Sequence, residues 1–178
     1  MRTTDRISLA SIFCIARLAC ASSVARPQKQ QSSERGNPMS TQTTNFRLFN
    51  PETMMKPVAG YSQVAEVTGG KLVYIAGQIA VDKSGAFIGQ DDFPAQVEQV
   101  FKNLKAAVEA AGGDFNDVVE LNSYCSESVD PALIPQVRGI RDKYVNRQNP
   151  PASTFVVVHR LVRPEWLIEV EATAVVKQ

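Results

Sequence analysis

The stretch that most limits how this chain can fold is residues 149–176, NPPASTFVVVHRLVRPEWLIEVEATAVV. A rigid double proline opens it, and an extended apolar run follows over residues 154–158. After a polar turn at Arg163-Pro164, a second extended run over 166–176 carries Glu169 and Glu171 in alternation with Leu167, Ile168 and Val170. Alternation at period two places both carboxylates on one face of a strand. Burying a carboxylate on an apolar strand is costly, so at least one of the two is expected to line a cleft or meet a partner.

The rest of the chain supplies elements for that strand to pair with. Residues 64–68 and 72–80 read as strands separated by a turn at Gly69-Gly70. The second of these, LVYIAGQIA, is nearly all apolar and is interrupted by Gly77, which marks either a bulge or a close backbone approach. Asp91-Asp92-Phe93-Pro94 is a helix-start signal. Val97, Val100, Phe101, Leu104, Val108 and Ala111 then recur at helical spacing, and Gly112-Gly113 ends the helix. Glu98, Lys102 and Lys105 fall on its polar face. Residues 117–125 read as a strand in which Cys125 is a buried small residue rather than a nucleophile. A second helix over 131–144 carries Leu133, Ile134, Val137, Ile140 and Tyr144 on one side and Arg138, Arg141, Asp142 and Lys143 on the other. Residues 47–56 read as a lead-in with a turn at Asn50-Pro51. The order β-β-α-β-α-β-β predicts an α+β domain over residues 45–178, with two helices on one face of a mixed sheet. The apolar strands predict that other subunits bury the second face.

Residues 1–44 do not share this patterning and are read as an N-terminal extension outside the fold. Within residues 1–38, six Lys or Arg stand against two acids, and a short apolar run precedes Arg17 and the small triplet Ala19-Cys20-Ala21. A secretory signal, a transit peptide and an upstream extension before a true start at Met39 all fit this pattern. The expected location is cytoplasmic, with export or organelle import through residues 1–38 as the alternative. Residues 39–178 hold 13 basic and 16 acidic residues, and this mildly acidic body argues against a nucleic-acid partner held through phosphates. No apolar run approaches the roughly 20 residues that span a bilayer. With His159 as the only histidine, no CxxC, and cysteines only at 14, 20 and 125, a metal site is not expected.

Six segments in order resemble the RidA/YjgF family. They are GYSQ at 60–63, YIAGQIAVD at 74–82, AAVEAAGG at 106–113, DVVELNSY at 117–124, PPA at 150–152 and IEVEATA at 168–174. The resemblance implies a chorismate-mutase-like (YjgF-type) fold. It also implies a homotrimer whose sheets form a central barrel, with ligand clefts between neighbouring subunits. It further implies hydrolysis of reactive enamines or imines to 2-oxo acids and ammonia without a cofactor. Tyr61 matches the family's site tyrosine, Ala76 and Gly77 match the loop whose backbone approaches the ligand, and Glu169 matches the glutamate that positions the attacking water.

One position departs from the family. After the proline pair the pattern is Ala-Arg-Ser-Cys, and the arginine forks onto the substrate carboxylate; here the run is Ala152-Ser153-Thr154-Phe155, with Ser153 in the arginine's place. Arg offers a planar, permanently charged, two-pronged grip, whereas a hydroxyl offers one neutral hydrogen bond. A charge-assisted bond contributes about 1.5–3 kcal/mol against about 1 for a neutral one, so binding of a 2-imino acid is expected to be weaker. Arg138 on the second helix is the candidate replacement cation, and Ser153, Thr154 and Phe155 are candidate ligand contacts. A trimer that binds a small metabolite without turning it over is the competing expectation. A nuclease is the weakest, given one histidine and no basic groove.

Overall fold

The computed structural model describes residues 45–178; the N-terminal extension expected over 1–44, with Cys14 and Cys20, lies outside the described residues. The described chain is α+β. Its six strands are β1 (Phe46–Phe49), β2 (Val64–Val67), β3 (Lys71–Gln78), β4 (Val118–Ser126), β5 (Ala152–Val158) and β6 (Ile168–Val176). Two α-helices, α1 (Phe93–Ala110) and α2 (Ile134–Arg141), are each inserted between strands. A four-stranded mixed sheet runs in the order β3-β6-β4-β5, and β1 and β2 form a separate antiparallel pair.

Two sequence expectations need correction. The lead-in over 47–56 is not all irregular, because its first residues form β1, whose Arg47 pairs with Glu66 across to β2. A four-residue strand ending at Asn50-Pro51 is too short to show alternation, so the turn was visible and the strand was not. The second helix is not continuous over 131–144 either. A 3₁₀ turn, Pro131–Leu133, precedes α2, and the α-helix stops at Arg141 with Asp142 as its C-cap.

The strand β6 holds the domain together. It pairs antiparallel with β3 on one side and with β4 on the other. Its residues Ile168, Val170, Ala172 and Ala174 point toward α1 and are almost wholly buried. Across from them, Val97, Val100, Phe101, Leu104 and Val108 of α1 are buried, each contributing about 1.5–3 kcal/mol for a side chain of this size. Asp92 caps α1 by accepting from the Ala95 amide at 3.0 Å, and Pro94 sits in the first turn, as the sequence indicates. Cys125 is buried in β4, and burial pushes its thiol up to about 11, which keeps it protonated and inert.

Two polar contacts fix how the helices meet the sheet. Gln96 is fully buried in α1; its amide donates to the carbonyls of Gly89 and Glu165, both at 3.0 Å, and its oxygen accepts from the Leu167 amide at 2.9 Å. This ties the start of β6 to the helix. Glu98, read as part of a solvated face, instead accepts from the Tyr144 hydroxyl at 2.7 Å and from Lys143 at 2.9 Å, joining α1 to the chain after α2. Those two hydrogen bonds hold the Glu98 carboxyl below its ordinary range. Burial, followed by Glu98, pushes the Tyr144 phenol far above its own.

Replacing Gln96 with Leu removes all three of its bonds and leaves the Glu165 carbonyl and the Leu167 amide without these partners, while the Gly89 carbonyl keeps the Asp92 amide at 3.0 Å. Urea denaturation is expected to show a loss of about 2–4 kcal/mol with an unchanged m-value; a loss near zero would mean that water replaces the clamp.

Candidate functional site

The site has two halves, one on each side of the four-stranded sheet. The first is built by β3 and β6. Ile75 pairs with Ala172 and Gln78 with Val170, so Ala76 and Gly77 together oppose the single residue Glu171 in a bulge. The glycine in β3 thus marks both a bulge and a close approach. A β-carbon added at Gly77 would lie 2.0 Å from Glu169 Oε1 and 2.8 Å from its Cδ, so the carboxylate rests directly over the Gly77 backbone.

The register places Glu169, Glu171 and Thr173 on the sheet face away from the helices, beside Tyr124, Asn122 and Glu120 of β4. The two carboxylates that the sequence could not tell apart differ here. Glu171 Oε1 accepts from Asn122 Nδ2 at 3.1 Å and from the Tyr124 hydroxyl at 3.2 Å. Partial burial, then the charge and hydrogen bond of Glu171, push the Tyr124 phenol above its ordinary range, so it remains a donor. Glu169 makes no side-chain hydrogen bond among the described residues, and it is the carboxylate left available. Ala76 lines a shallow cavity with Tyr74, Glu120, Asn122 and Glu171.

The second half surrounds the start of β5. Ser62 donates its hydroxyl to the Pro150 carbonyl at 2.7 Å and its amide to the Pro151 carbonyl at 3.0 Å. The double proline has no amide hydrogens to offer, but its carbonyls remain free to accept. That seam holds Gly60 and Tyr61 against Pro150, where Tyr61 lines a cavity with Asn50, Pro51 and Lys56. Ser153 and Phe155 point to the helix side of the sheet, where they line a pocket of about 270 Å³ with Ser123, Phe101, Val137 and Arg138. Thr154, in register with Asn122, takes the opposite face. The Arg138 side chain is half exposed and reaches toward Gly60, with Nη2 3.7 Å from where a β-carbon there would sit.

Of the three candidate contacts on β5, Ser153 and Phe155 share one face and Thr154 takes the other, because successive residues of a strand face opposite ways. Within one chain Tyr61 and Glu169 lie apart, since β4 lies between β5 and β6 and separates the two groups by roughly 10 Å of sheet; the expectation of a cleft between subunits does not require them to meet here. Helical spacing assigns Arg141 to the polar side of α2, and the structure differs. The Arg141 side chain is only 12 % exposed, contacts Asp142 Oδ1 through Nε at 3.2 Å and Nη2 at 2.7 Å, and lines the Ser153 pocket. Spacing in one short helix cannot separate Arg138 from Arg141, which lie one turn apart. Among the described residues no group of three or more His, Cys, Asp or Glu is placed to hold a metal ion, and no helix is long and apolar enough to cross a membrane.

A mixed sheet with helices on one face, a bulged glycine under a glutamate and a serine-anchored diproline characterise this α+β domain. Residues 52–176 match the model of the family described as Endoribonuclease L-PSP, and the chain belongs to that family, also called RidA/YjgF. A RutC family protein of Pyrococcus horikoshii is 37% identical over 123 residues, covering 69% of this chain and 92% of that one. A 2-iminobutanoate/2-iminopropanoate deaminase of Dermatophagoides farinae is 26% identical over 131 residues, covering 74% of this chain and 97% of that protein. Among solved structures, the Rid family protein YyfB of Yersinia pestis has a TM-score of 0.65 at 37% identity, covering 75% of this chain and all of its own.

Gly77→Ala provides a direct check on the Glu169 geometry. The new methyl group is expected to turn the Glu169 side chain out of its rotamer at a cost of about 0.5–1.5 kcal/mol. That cost should vanish in a Glu169→Ala background, as read by urea denaturation of the four proteins of the cycle. Equal costs in both backgrounds would place the strain elsewhere.

Proposed function

We propose that this protein hydrolyses the C=N bond of a reactive enamine or imine metabolite, giving a carbonyl compound and ammonia. The observation that carries this reading is the uncommitted carboxylate of Glu169 over the open backbone of Gly77, beside a Glu171 that is already hydrogen-bonded. In this reading Glu169 accepts a proton from water as the water oxygen adds to the imine carbon. The C=N electron pair moves to nitrogen, which takes up a proton. The resulting carbinolamine releases ammonia, and its oxygen becomes the carbonyl as the hydroxyl proton leaves. An enamine enters the same path after protonation at carbon. Tyr61 positions the substrate, and the backbone at Ala76 and Gly77 together with Ser153 holds its polar groups.

The two halves belong to different subunits in this reading. Phe155, Val156 and Val157 are partly exposed on the free edge of β5, and Leu72 and Tyr74 are exposed on β3. Covering these surfaces with neighbouring copies in a homotrimer would bring Tyr61, Ser153 and Arg138 of one subunit to Gly77 and Glu169 of the next. Residues 45–178 form the repeating RidA/YjgF-like domain. Arg138 replaces the cation that Ser153 cannot supply, which fits its reach toward Gly60 beside Tyr61. Its exposure tempers the grip, so standard 2-imino acids are handled less well than with an arginine at position 153. The presence of Ser153 instead of arginine also favours a second reading, a trimer that binds a small metabolite without turning it over.

The test generates 2-aminoacrylate and 2-iminobutanoate in situ and follows their decay. The full chain is expected to accelerate decay over buffer, and Glu169→Gln to lose about 10²-fold or more of that acceleration. Arg138→Ala is expected to lose about tenfold, through weaker binding. An absence of acceleration for both compounds, or full activity in Glu169→Gln, would favour the binding reading.

A further inference from the structure

A further cavity, of about 490 Å³, opens beside the Ser153 pocket and is lined by Gly60, Arg138, Asp142, Arg147, Gln148 and Pro150. Its charges do not balance. Asp142 is the single carboxylate, and Arg141 already occupies its Oδ1 through two contacts at 3.2 and 2.7 Å. Arg138 and Arg147 each stand 3.8 Å from the other oxygen, Oδ2, beyond hydrogen-bonding distance. The Arg147 side chain is 74% exposed. Both guanidiniums flank one small volume, and among the described residues neither makes a hydrogen bond, each reaching only a loose ion pair with Asp142. The negative end of α2 explains why basic residues gather here. It does not explain two of them turned to a cavity with their donors unspent.

Resting on the reading of Arg138 given above, we infer that this site selects ligands with two negative charges, the imine of a dicarboxylic amino acid and its 2-oxo dicarboxylic product. Arg138 takes the carboxylate next to the reacting carbon. Arg147, five residues after Asp142 in the turn that follows α2, takes the carboxylate at the far end of the ligand. The three arginines exceed Asp142 by two positive charges, and a dianion restores neutrality where a monoanion leaves one guanidinium unpaired. Gln148 offers a neutral amide for the ligand's remaining oxygen.

The test is calorimetric titration of the full chain with 2-oxobutanoate and with 2-oxoglutarate, at low and at high salt. The dianion is expected to bind about fivefold more tightly at low salt, with the advantage shrinking as salt screens the exposed Arg147. In Arg147→Gln the two acids should bind with affinities within about twofold of each other. Equal binding of the two acids by the wild type, or a preference that survives Arg147→Gln, would overturn the inference. Arg138→Gln is expected to weaken both acids; 2-oxobutanoate binding that is indifferent to it would instead overturn the assignment of Arg138, and that outcome is separate from the preference measured at Arg147.

Discussion

The pairing of β6 with strands on both sides is the constraint on which the rest depends. Its apolar residues must face α1, because Ile168, Val170 and Ala174 are fully buried there. Period two then leaves Glu169 and Glu171 no choice but the other face. A slip of one residue would drive both carboxylates into the core, at a cost of several kcal/mol for each ion. The Gln96 clamp, the bulge at Gly77 and the Asn122 and Tyr124 contacts to Glu171 all act on that single register. The placement of both carboxylates is therefore set by how precisely one strand is held, and only Glu171 is tied down by side-chain hydrogen bonds among the described residues.

The same sheet explains why Tyr61 and Glu169 do not meet within one chain. Four strands in the order β3-β6-β4-β5 put the Glu169 carboxylate near one edge and the diproline seam at the other. No side-chain rotation closes a gap of roughly 10 Å. Charge is divided in the same way. Carboxylates cluster on the open face of β4 and β6, and guanidiniums cluster where α2 ends. In the proposed assembly, juxtaposed subunits would set the Glu169 carboxylate against the guanidinium cluster, the pairing of charges that hydrolysis of an anionic imine calls for.

Much of this was legible in the residues. The alternation in 166–176, the capped and striped α1, and Gly77 in an otherwise apolar strand each have a local signature, and each appears in the structure as read. The Ala152-Ser153 departure was visible only against the family pattern. What was not legible depends on contacts across the chain. Nothing local distinguishes Glu169 from Glu171 until Tyr124 and Asn122, some 47–49 residues away, bond to one of them. Nothing local distinguishes Arg141 from Arg138 until Asp142 and the Ser153 pocket surround the former. Strand β1 was missed because four residues are too few to show a period.

The most direct test of a site shared between subunits is complementation by mixing. Glu169→Gln and Arg138→Ala chains, each impaired alone, would be unfolded together, refolded as a mixture and assayed for imine decay against each variant refolded by itself. A shared site requires activity in the mixture well above both parents, because some interfaces would then join an intact Glu169 from one subunit to an intact Arg138 from another. A mixture no more active than the average of its parents would contradict it, and would place both residues in a site that a single chain completes.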